Sequence, residues 1–151
     1  METLSEILSD YLIFHDLSDK SLKILSSVTT LVQFRPEEVI FCKGEKSKYF
    51  YLIRKGRTVL EDFLEEKGAV TVQVLGEGDV LGWSWLIPPY RWHFEAKAVD
   101  DVEAFRIDAE KIREKMAEDH DLGYELLRRF INIVVDRLQA TRLHFMGKTS
   151  W

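Results

Sequence analysis

Residues 75–98 read LGEGDVLGWSWLIPPYRWHFEAKA, a loop-like stretch between two segments that resemble β-strands. Its glycines allow close approach of the backbone and positive φ angles, and its two consecutive prolines restrict the return of the chain. Arg91 adds a permanent positive charge beside three tryptophans. Because an ordinary packed loop seldom combines a cation with several indoles, we expect this stretch to face a small ligand. Close packing without a ligand is the alternative.

Short runs of β-branched and aromatic residues lie on both sides of this loop. Turn sequences separate them at intervals of roughly 8 to 12 residues, which is typical of antiparallel sandwiches and barrels. No helical segment lies between the runs, as a parallel sheet would require. The predicted strands cover residues 30–34, 39–42, 49–54, 58–63, 70–75, 94–98 and 102–107.

Both ends of the chain have helical periodicity. One helix is predicted over residues 2–14, and Ser18 is suited to cap a second. Farther on, a short helix is predicted over 109–116 and a long one from about 121 to 145, with Gly147 as its stop. The apolar stripe of the long helix is wide, which favours pairing with a second copy; docking entirely on its own barrel is the alternative. The stripe contains Leu122, Leu126, Leu127, Phe130, Ile131, Val134, Val135, Leu138 and Phe145.

Composition narrows the functional class. The 151 residues carry a formal net charge of −5 and no basic stripe stands out, so broad nucleic-acid binding is not expected. Cys42 is the only cysteine, which excludes an intramolecular disulfide and suits a reducing compartment. The N-terminus has no basic segment before an apolar core, and no apolar run approaches a membrane span. We therefore expect a cytoplasmic protein that is neither exported nor inserted in a membrane.

Catalytic and metal-binding patterns are not recognisable in the sequence. His15, His93, His120 and His144 are scattered and lack the spacing of metal ligands. Ser84 has neither a histidine partner nor an oxyanion turn in view. We therefore predict no catalytic residue, no metal site and no cofactor, and hence no enzyme.

The order of helices, strands, glycine-rich loop and long helix resembles the cyclic nucleotide-binding domains of the catabolite-activator, or Crp/Fnr-like, type. Residues 34–45, FRPEEVIFCKGE, resemble the first hairpin of that family, with Glu37 where the family most often has glycine. Residues 49–56, YFYLIRKG, resemble its next strand and turn. Residues 75–82, LGEGDVLG, are similar to the entrance of its phosphate-binding cassette, and residues 137–141, RLQAT, to the helix that contacts the base.

The resemblance implies a single, mainly β domain over residues 1–151 with flanking helices. The expected core is an eight-stranded antiparallel jelly roll over 28–108, with its cassette at 76–98. N-terminal helices are expected over 1–27 and C-terminal helices over 109–147.

The resemblance also implies where a ligand would bind. In the family, a glutamate after the cassette glycine accepts hydrogen bonds from the ribose, and an arginine pairs with the cyclic phosphate. Here Trp83 stands at the glutamate position and Trp92 at the arginine position, with Arg91 one residue earlier. An indole has one donor and no acceptor, so it cannot replace a carboxylate at a sugar hydroxyl. The expected ligand-binding residues are Gly82, Trp83, Ser84, Trp85, Leu86, Arg91, Trp92, His93 and Thr141.

Two functions follow from this resemblance and stay open. The first is a regulatory module that binds a small anionic effector, foremost cyclic AMP or cyclic GMP, and signals through its C-terminal helix as a homodimer. The second is a degenerate cassette that binds no nucleotide and serves in protein interaction or dimerisation. A helix-turn-helix follows the long helix in the family's transcription factors. Only six residues follow Phe145 here, so direct DNA binding by this chain is not expected.

Overall fold

The computed structural model describes residues 2–150, with side chains over residues 2–143. Two short helices precede an eight-stranded β-structure, and two helices follow it, in the order that the sequence predicts. The helices are α1 (Leu4–Ser9), α2 (Asp19–Ser27), α3 (Ala109–Glu118) and α4 (His120–Ser150). The strands are β1 (Thr29–Phe34), β2 (Val39–Phe41), β3 (Tyr49–Lys55), β4 (Thr58–Leu64), β5 (Gly68–Leu75), β6 (Val80–Leu81), β7 (Glu95–Ala98) and β8 (Val102–Asp108).

The strands form two four-stranded antiparallel sheets, with the orders β1-β8-β3-β6 and β2-β7-β4-β5. Because the chain passes repeatedly from one sheet to the other, the two sheets close into a jelly roll. The predicted mainly β fold with flanking helices is therefore confirmed. Of the eight strands, only β6 was not predicted from the sequence. Its two residues, Val80 and Leu81, pair with Leu52 and Tyr51 of β3.

Strand β3 separates two hydrophobic clusters because both of its faces are covered. Successive side chains of a strand point to opposite faces. Phe50 and Leu52 therefore join the cluster beneath the helices, whereas Tyr51 and Ile53 join the cluster inside the barrel. We call these the helix-side cluster and the barrel cluster. The cassette supplies residues to both, Trp85 to the first and Trp92 to the second.

The N-terminal segment corrects one prediction. The single helix expected over residues 2–14 is interrupted: α1 ends at Ser9, and a 3₁₀ turn covers Leu12–Phe14. Tyr11 has extended backbone angles between the two pieces, so the chain turns and buries Phe14 fully, while Leu12 stays 93% exposed. The predicted cap of α2 is confirmed, since the side chain of Ser18 accepts a hydrogen bond from the Ser21 N–H.

Helix α4 presents two different apolar faces. Leu122, Leu126 and Phe130 are buried in the helix-side cluster. A second face is exposed and is named here the α4 stripe, which consists of Tyr124, Leu127, Ile131, Val135 and Leu138. The helix runs through Gly147 to Ser150, so the stop predicted at Gly147 is not observed. No helix within the described residues has the length and apolar character needed to span a membrane.

Candidate functional site

The cassette crosses from one sheet to the other. It leaves β5, passes through β6, which pairs with β3, and enters β7, which pairs with β2 and β4. Gly82 turns the chain with a φ of 98°, and a 3₁₀ turn over Ser84–Leu86 stands where the family has a short helix. Trp83 and Trp85 both pack on the helix-side cluster, whereas Trp92 lies in the barrel cluster.

Trp92 fills one end of the barrel interior. Its side chain is 5% exposed, and its ring stacks on Phe41 with the centroids 3.8 Å apart and the planes at 11°. The same ring lies so close to Gly82 that a Cβ atom there would overlap it. Since Trp92 stands at the arginine position of the family, an uncharged indole lies where a phosphate-binding cation is expected.

Backbone hydrogen bonds fasten Trp92 to the loop that joins β2 to β3. The Trp92 N–H donates to the Glu45 carbonyl at 3.0 Å, and the Gly44 N–H donates to the Trp92 carbonyl at 2.9 Å. The Ser47 N–H donates to the Tyr90 carbonyl at 2.8 Å. These bonds fix the backbone of the cassette end against that loop, as if it were an added strand, and so fix the point from which the indole enters the barrel.

Trp83, Ser84 and His93 form a small cluster at the 3₁₀ turn. Trp83 is half-buried, and its ring stacks on that of His93 at a centroid distance of 5.4 Å. Ser84 Oγ lies 2.9 Å from His93 Nδ1, within hydrogen-bonding distance. The expectation that Ser84 lacks a histidine partner is therefore wrong. The pair contains no carboxylate, and Ser84 is only 4% exposed, so the bond orients the imidazole rather than presenting a nucleophile.

Trp85 connects the cassette to the C-terminal helices. It is fully buried, stacks on Phe50 at 4.4 Å and meets the ring edge of Phe130 of α4 at 5.1 Å. Its carbonyl accepts a hydrogen bond of 2.8 Å from Arg113 of α3. Leu86 packs against the same helix-side cluster. These two residues of the predicted site are therefore core contacts between loop and helices.

Arg137 is a further candidate for the site. In the sequence it stood out only as the first residue of the motif over residues 137–141. Its Nη2 donates to the Val80 carbonyl at 2.5 Å, and its Nε is buried without a hydrogen-bond partner among the described residues. Burial lowers the pKa of this guanidinium to about 10, although Asp79 opposes the shift. Its position seven residues after the buried Phe130 could have indicated that it faces the barrel.

Arg91 points away from the barrel interior. It is exposed, and its Nη1 donates to the Gly44 carbonyl at 2.8 Å. Together with Lys46, Lys48 and the outer side of Trp92 it borders a cavity of about 560 Å³, named here the outer groove. The lysines of this groove were not among the predicted site residues, because nothing in their spacing links them to residue 91.

The structure thus divides the nine predicted residues among several places. Gly82 and Trp92 meet in the barrel, and Arg91 lies on the groove outside. Thr141 is exposed on α4, four residues beyond Arg137. Within the searched part of residues 2–150, no three histidine, cysteine or acidic side chains converge as metal ligands do.

Comparison with known proteins places the chain in a family. A family model described as "Cyclic nucleotide-binding domain" matches residues 31–119. A crystal structure from Geobacter metallireducens, provisionally described as a cyclic nucleotide-binding protein, has 28% identity and a TM-score of 0.81, covering 91% of this chain and 99% of that one. No curated protein matches the chain significantly.

Two further structures share the fold at lower identity. A cyclic nucleotide-binding domain from Methylobacillus flagellatus has 19% identity and a TM-score of 0.81, covering 98% of this chain and 83% of that one. The sensor domain of the transcriptional regulator DNR from Pseudomonas aeruginosa has 19% identity and a TM-score of 0.69, covering 85% of this chain and 91% of that one. Since the family model matches more than half of the residues, this chain belongs to the cyclic nucleotide-binding domain family, whose domains are regulatory.

Proposed function

We propose that this chain is a non-catalytic regulatory domain whose cassette is filled by its own tryptophans, and that it acts by pairing α4 with a second copy. The observation that carries the proposal is the position of Trp92, which is buried between Phe41 and Gly82.

The chemistry of the cassette supports this choice over a cyclic-nucleotide site. A buried phosphate needs a paired cation or several convergent donors. Trp92 supplies no charge, and the guanidinium of Arg91 is held outside by Gly44. Trp83 offers no acceptor for a ribose hydroxyl, and its ring is engaged by His93.

Contacts between the cassette and the helices provide a route for regulation. Trp85 packs on Phe130 of α4, Arg113 binds the Trp85 carbonyl, and Arg137 binds the Val80 carbonyl. A change in the cassette that displaced Trp85 or Val80 would disturb these contacts with α3 and α4. These contacts would regulate a partner if the positions of α4 before and after such a change exposed different surfaces.

The α4 stripe supports self-association. Its five large apolar side chains lie on one side of the helix and are between 43% and 67% exposed. Their spacing of three or four residues is that of a helix-pairing seam. Two copies of α4 would remove this surface from water.

Isothermal titration with cyclic AMP and cyclic GMP tests the cassette. We expect no saturable heat at the cassette, because Trp92 occupies it. Saturable binding that persists after Lys46→Ala and Lys48→Ala, which remove the two lysines of the outer groove and leave the barrel cluster intact, would overturn the proposal. Binding that these two substitutions abolish would belong to the groove and leave the cassette closed.

Sedimentation equilibrium tests the pairing of α4. We expect a dimer at micromolar concentration that Ile131→Glu converts to a monomer. Phe63→Glu is the matched control, since Phe63 is a 71% exposed apolar residue of β4, far from the stripe in sequence. A wild-type chain that stays monomeric throughout, or a Phe63→Glu variant that dissociates equally, would contradict the pairing.

A second candidate is regulation by a small anionic effector. The unpaired cations beside Trp92 favour it, because they leave a positively charged surface next to the closed cassette. Cyclic AMP and cyclic GMP remain members of that ligand class.

A further inference from the structure

The outer groove has the size and lining of a small-molecule site. Its cavity of about 560 Å³ lies within the roughly 300–1,000 Å³ that ligand pockets span. Its aromatic lining comes from Phe41, Tyr51 and Trp92, which are each only 5–7% exposed, and its cationic lining comes from Lys46, Lys48 and Arg91. Aromatic and cationic side chains therefore meet in one concave surface.

The cations of the groove lack acidic partners. None of the three takes part in an ion pair within the described residues, where the paired lysines and arginines are Lys20, Lys43, Arg54, Arg57 and Lys97. The groove also contains one carboxylate, Glu45, whose Oε1 accepts a hydrogen bond from the Cys42 N–H at 2.8 Å. Three cations against one engaged carboxylate leave an excess of positive charge on a chain whose formal net charge is −5.

Neighbouring groups strengthen the positive field. Tyr49 also borders the groove, and Arg106 lies over its ring at 4.5 Å. Tyr51 is 6% exposed, and burial raises the pKa of its hydroxyl to about 12. The phenol therefore stays protonated at neutral pH and can donate a hydrogen bond.

The groove is held in shape before any ligand arrives. The hydrogen bonds of Trp92 and Tyr90 to the β2–β3 loop tie its two walls together, and Arg91 adds its own bond to Gly44. Preorganisation reduces the entropy that binding costs. A groove formed only by mobile surface lysines would lack this feature.

We propose that the outer groove binds a small organic anion that carries a planar ring, with the ring against the aromatic residues and the anionic group toward Lys46, Lys48 and Arg91. This site lies outside the Gly82–Trp92 contact, at the border of the barrel cluster, whose members Phe41, Tyr51 and Trp92 also line the groove. The proposal does not depend on the pairing of α4.

Titration calorimetry with two probes tests the proposal: 2-naphthoate for an aromatic carboxylate and 5′-AMP for an aromatic phosphate. We expect at least one to bind saturably, with an affinity that falls as salt rises. The double substitution Lys46→Ala and Lys48→Ala is expected to weaken that binding at least tenfold, and both side chains are exposed, so the fold is retained. Lys43→Ala is the matched control, because this lysine of the same loop is paired with Asp62 at 2.9 Å.

Probes that carry only half of the ligand complete the test. Adenosine lacks the charge and acetate lacks the ring, so each is expected to bind at least tenfold more weakly than the better complete probe. Tyr51→Phe keeps the ring and removes the donor, and a threefold or larger loss is expected. Absence of saturable binding with both complete probes, or binding that the lysine substitutions leave unchanged, would overturn the groove proposal while leaving the closed cassette untouched.

Discussion

Glu37 adopts a φ of 73°, in the left-handed region that glycine favours. The resemblance to the first hairpin of the family had marked this position as one where glycine is usual. The structure supplies the reason, because the turn between β1 and β2 requires a positive φ there. The carboxylate gains little in return, since its pairing with Lys97 at 3.5 Å is largely in solvent.

Glu37→Gly is therefore expected to stabilise the protein. Relief of the left-handed conformation outweighs the added flexibility of the unfolded chain and the lost surface ion pair, for a net gain of about 0.5–1 kcal/mol. Urea unfolding measures the change. Glu38→Gly serves as the contrast, because the Glu38 carboxylate accepts the Arg35 N–H at 3.0 Å and its loss should destabilise. Equal or lower stability of Glu37→Gly would show that the turn is not strained.

Tyr51 makes stability depend on alkaline pH. Burial raises the pKa of its phenol from 10.0 to about 12. Below pH 10 both the folded and unfolded states are protonated. Between about pH 10 and 12 only the unfolded state loses the proton, so the free energy of unfolding falls, by at most about 2–3 kcal/mol. Tyr51→Phe should lose less stability than the wild type between pH 8 and 11 in urea unfolding. Equal losses would mean that the phenol ionises freely in the folded protein.

At the scale of elements, the cassette contains a close contact between the backbone of Gly82 and the ring of Trp92. Gly82→Ala adds a Cβ that overlaps Trp92 at a φ of 98°, and we expect a loss of at least about 2 kcal/mol. Gly44→Ala isolates the conformational part, because its φ is 89° and no atom lies within 4 Å of the added Cβ.

Combining Gly82→Ala with Trp92→Ala completes the test of this contact. Because the overlap disappears with the ring, the double variant should be more stable than the sum of the single losses predicts, by about 1 kcal/mol or more. Thermal or urea unfolding of the four proteins gives the coupling. Strict additivity would mean that Trp92 does not lie over Gly82.

Most helices and strands were predictable from runs several residues long, with two exceptions. Strands such as β3 and β8 are seven residues long and rich in aromatic and aliphatic side chains, whereas β6 has only two residues, too few to recognise from the sequence. The helix predicted over 2–14 failed because Tyr11 turns the chain, although its neighbours keep an apolar rhythm. The turn buries Phe14 in the helix-side cluster, a tertiary contact that the local sequence pattern does not reveal.

The site was less predictable than the fold, because side-chain direction in an irregular loop has no period. The sequence showed that Trp92 replaces an arginine, but not that it turns into the barrel while Arg91 turns out. The groove lysines lie more than forty positions from Arg91 in sequence, and only the pairing of the two loops brings them together.

At the scale of the whole molecule, Glu125 joins the two ends of the chain. Its carboxylate on α4 accepts a 2.5 Å hydrogen bond from Ser21 of α2 and weaker ones from Ser18. Glu125→Ala should lower the free energy of unfolding by about 1–2 kcal/mol, because it leaves the buried Ser21 hydroxyl without a partner. Glu114→Ala on the exposed side of α3 should change it by less than about 0.5 kcal/mol in the same urea experiment. Similar effects of both substitutions would indicate that the link between the ends is unimportant.

Three of the four tryptophans lie within residues 83–92, the fourth being Trp151. Trp85 and Trp92 are buried and Trp83 is half-buried. Indole fluorescence shifts to longer wavelength when the ring meets water, so in a Trp151→Phe variant all of the tryptophan emission would come from this one loop. An event that opens the cassette would then be visible as a red shift without any attached dye, whereas a partner that binds elsewhere and leaves the loop closed would change the emission little.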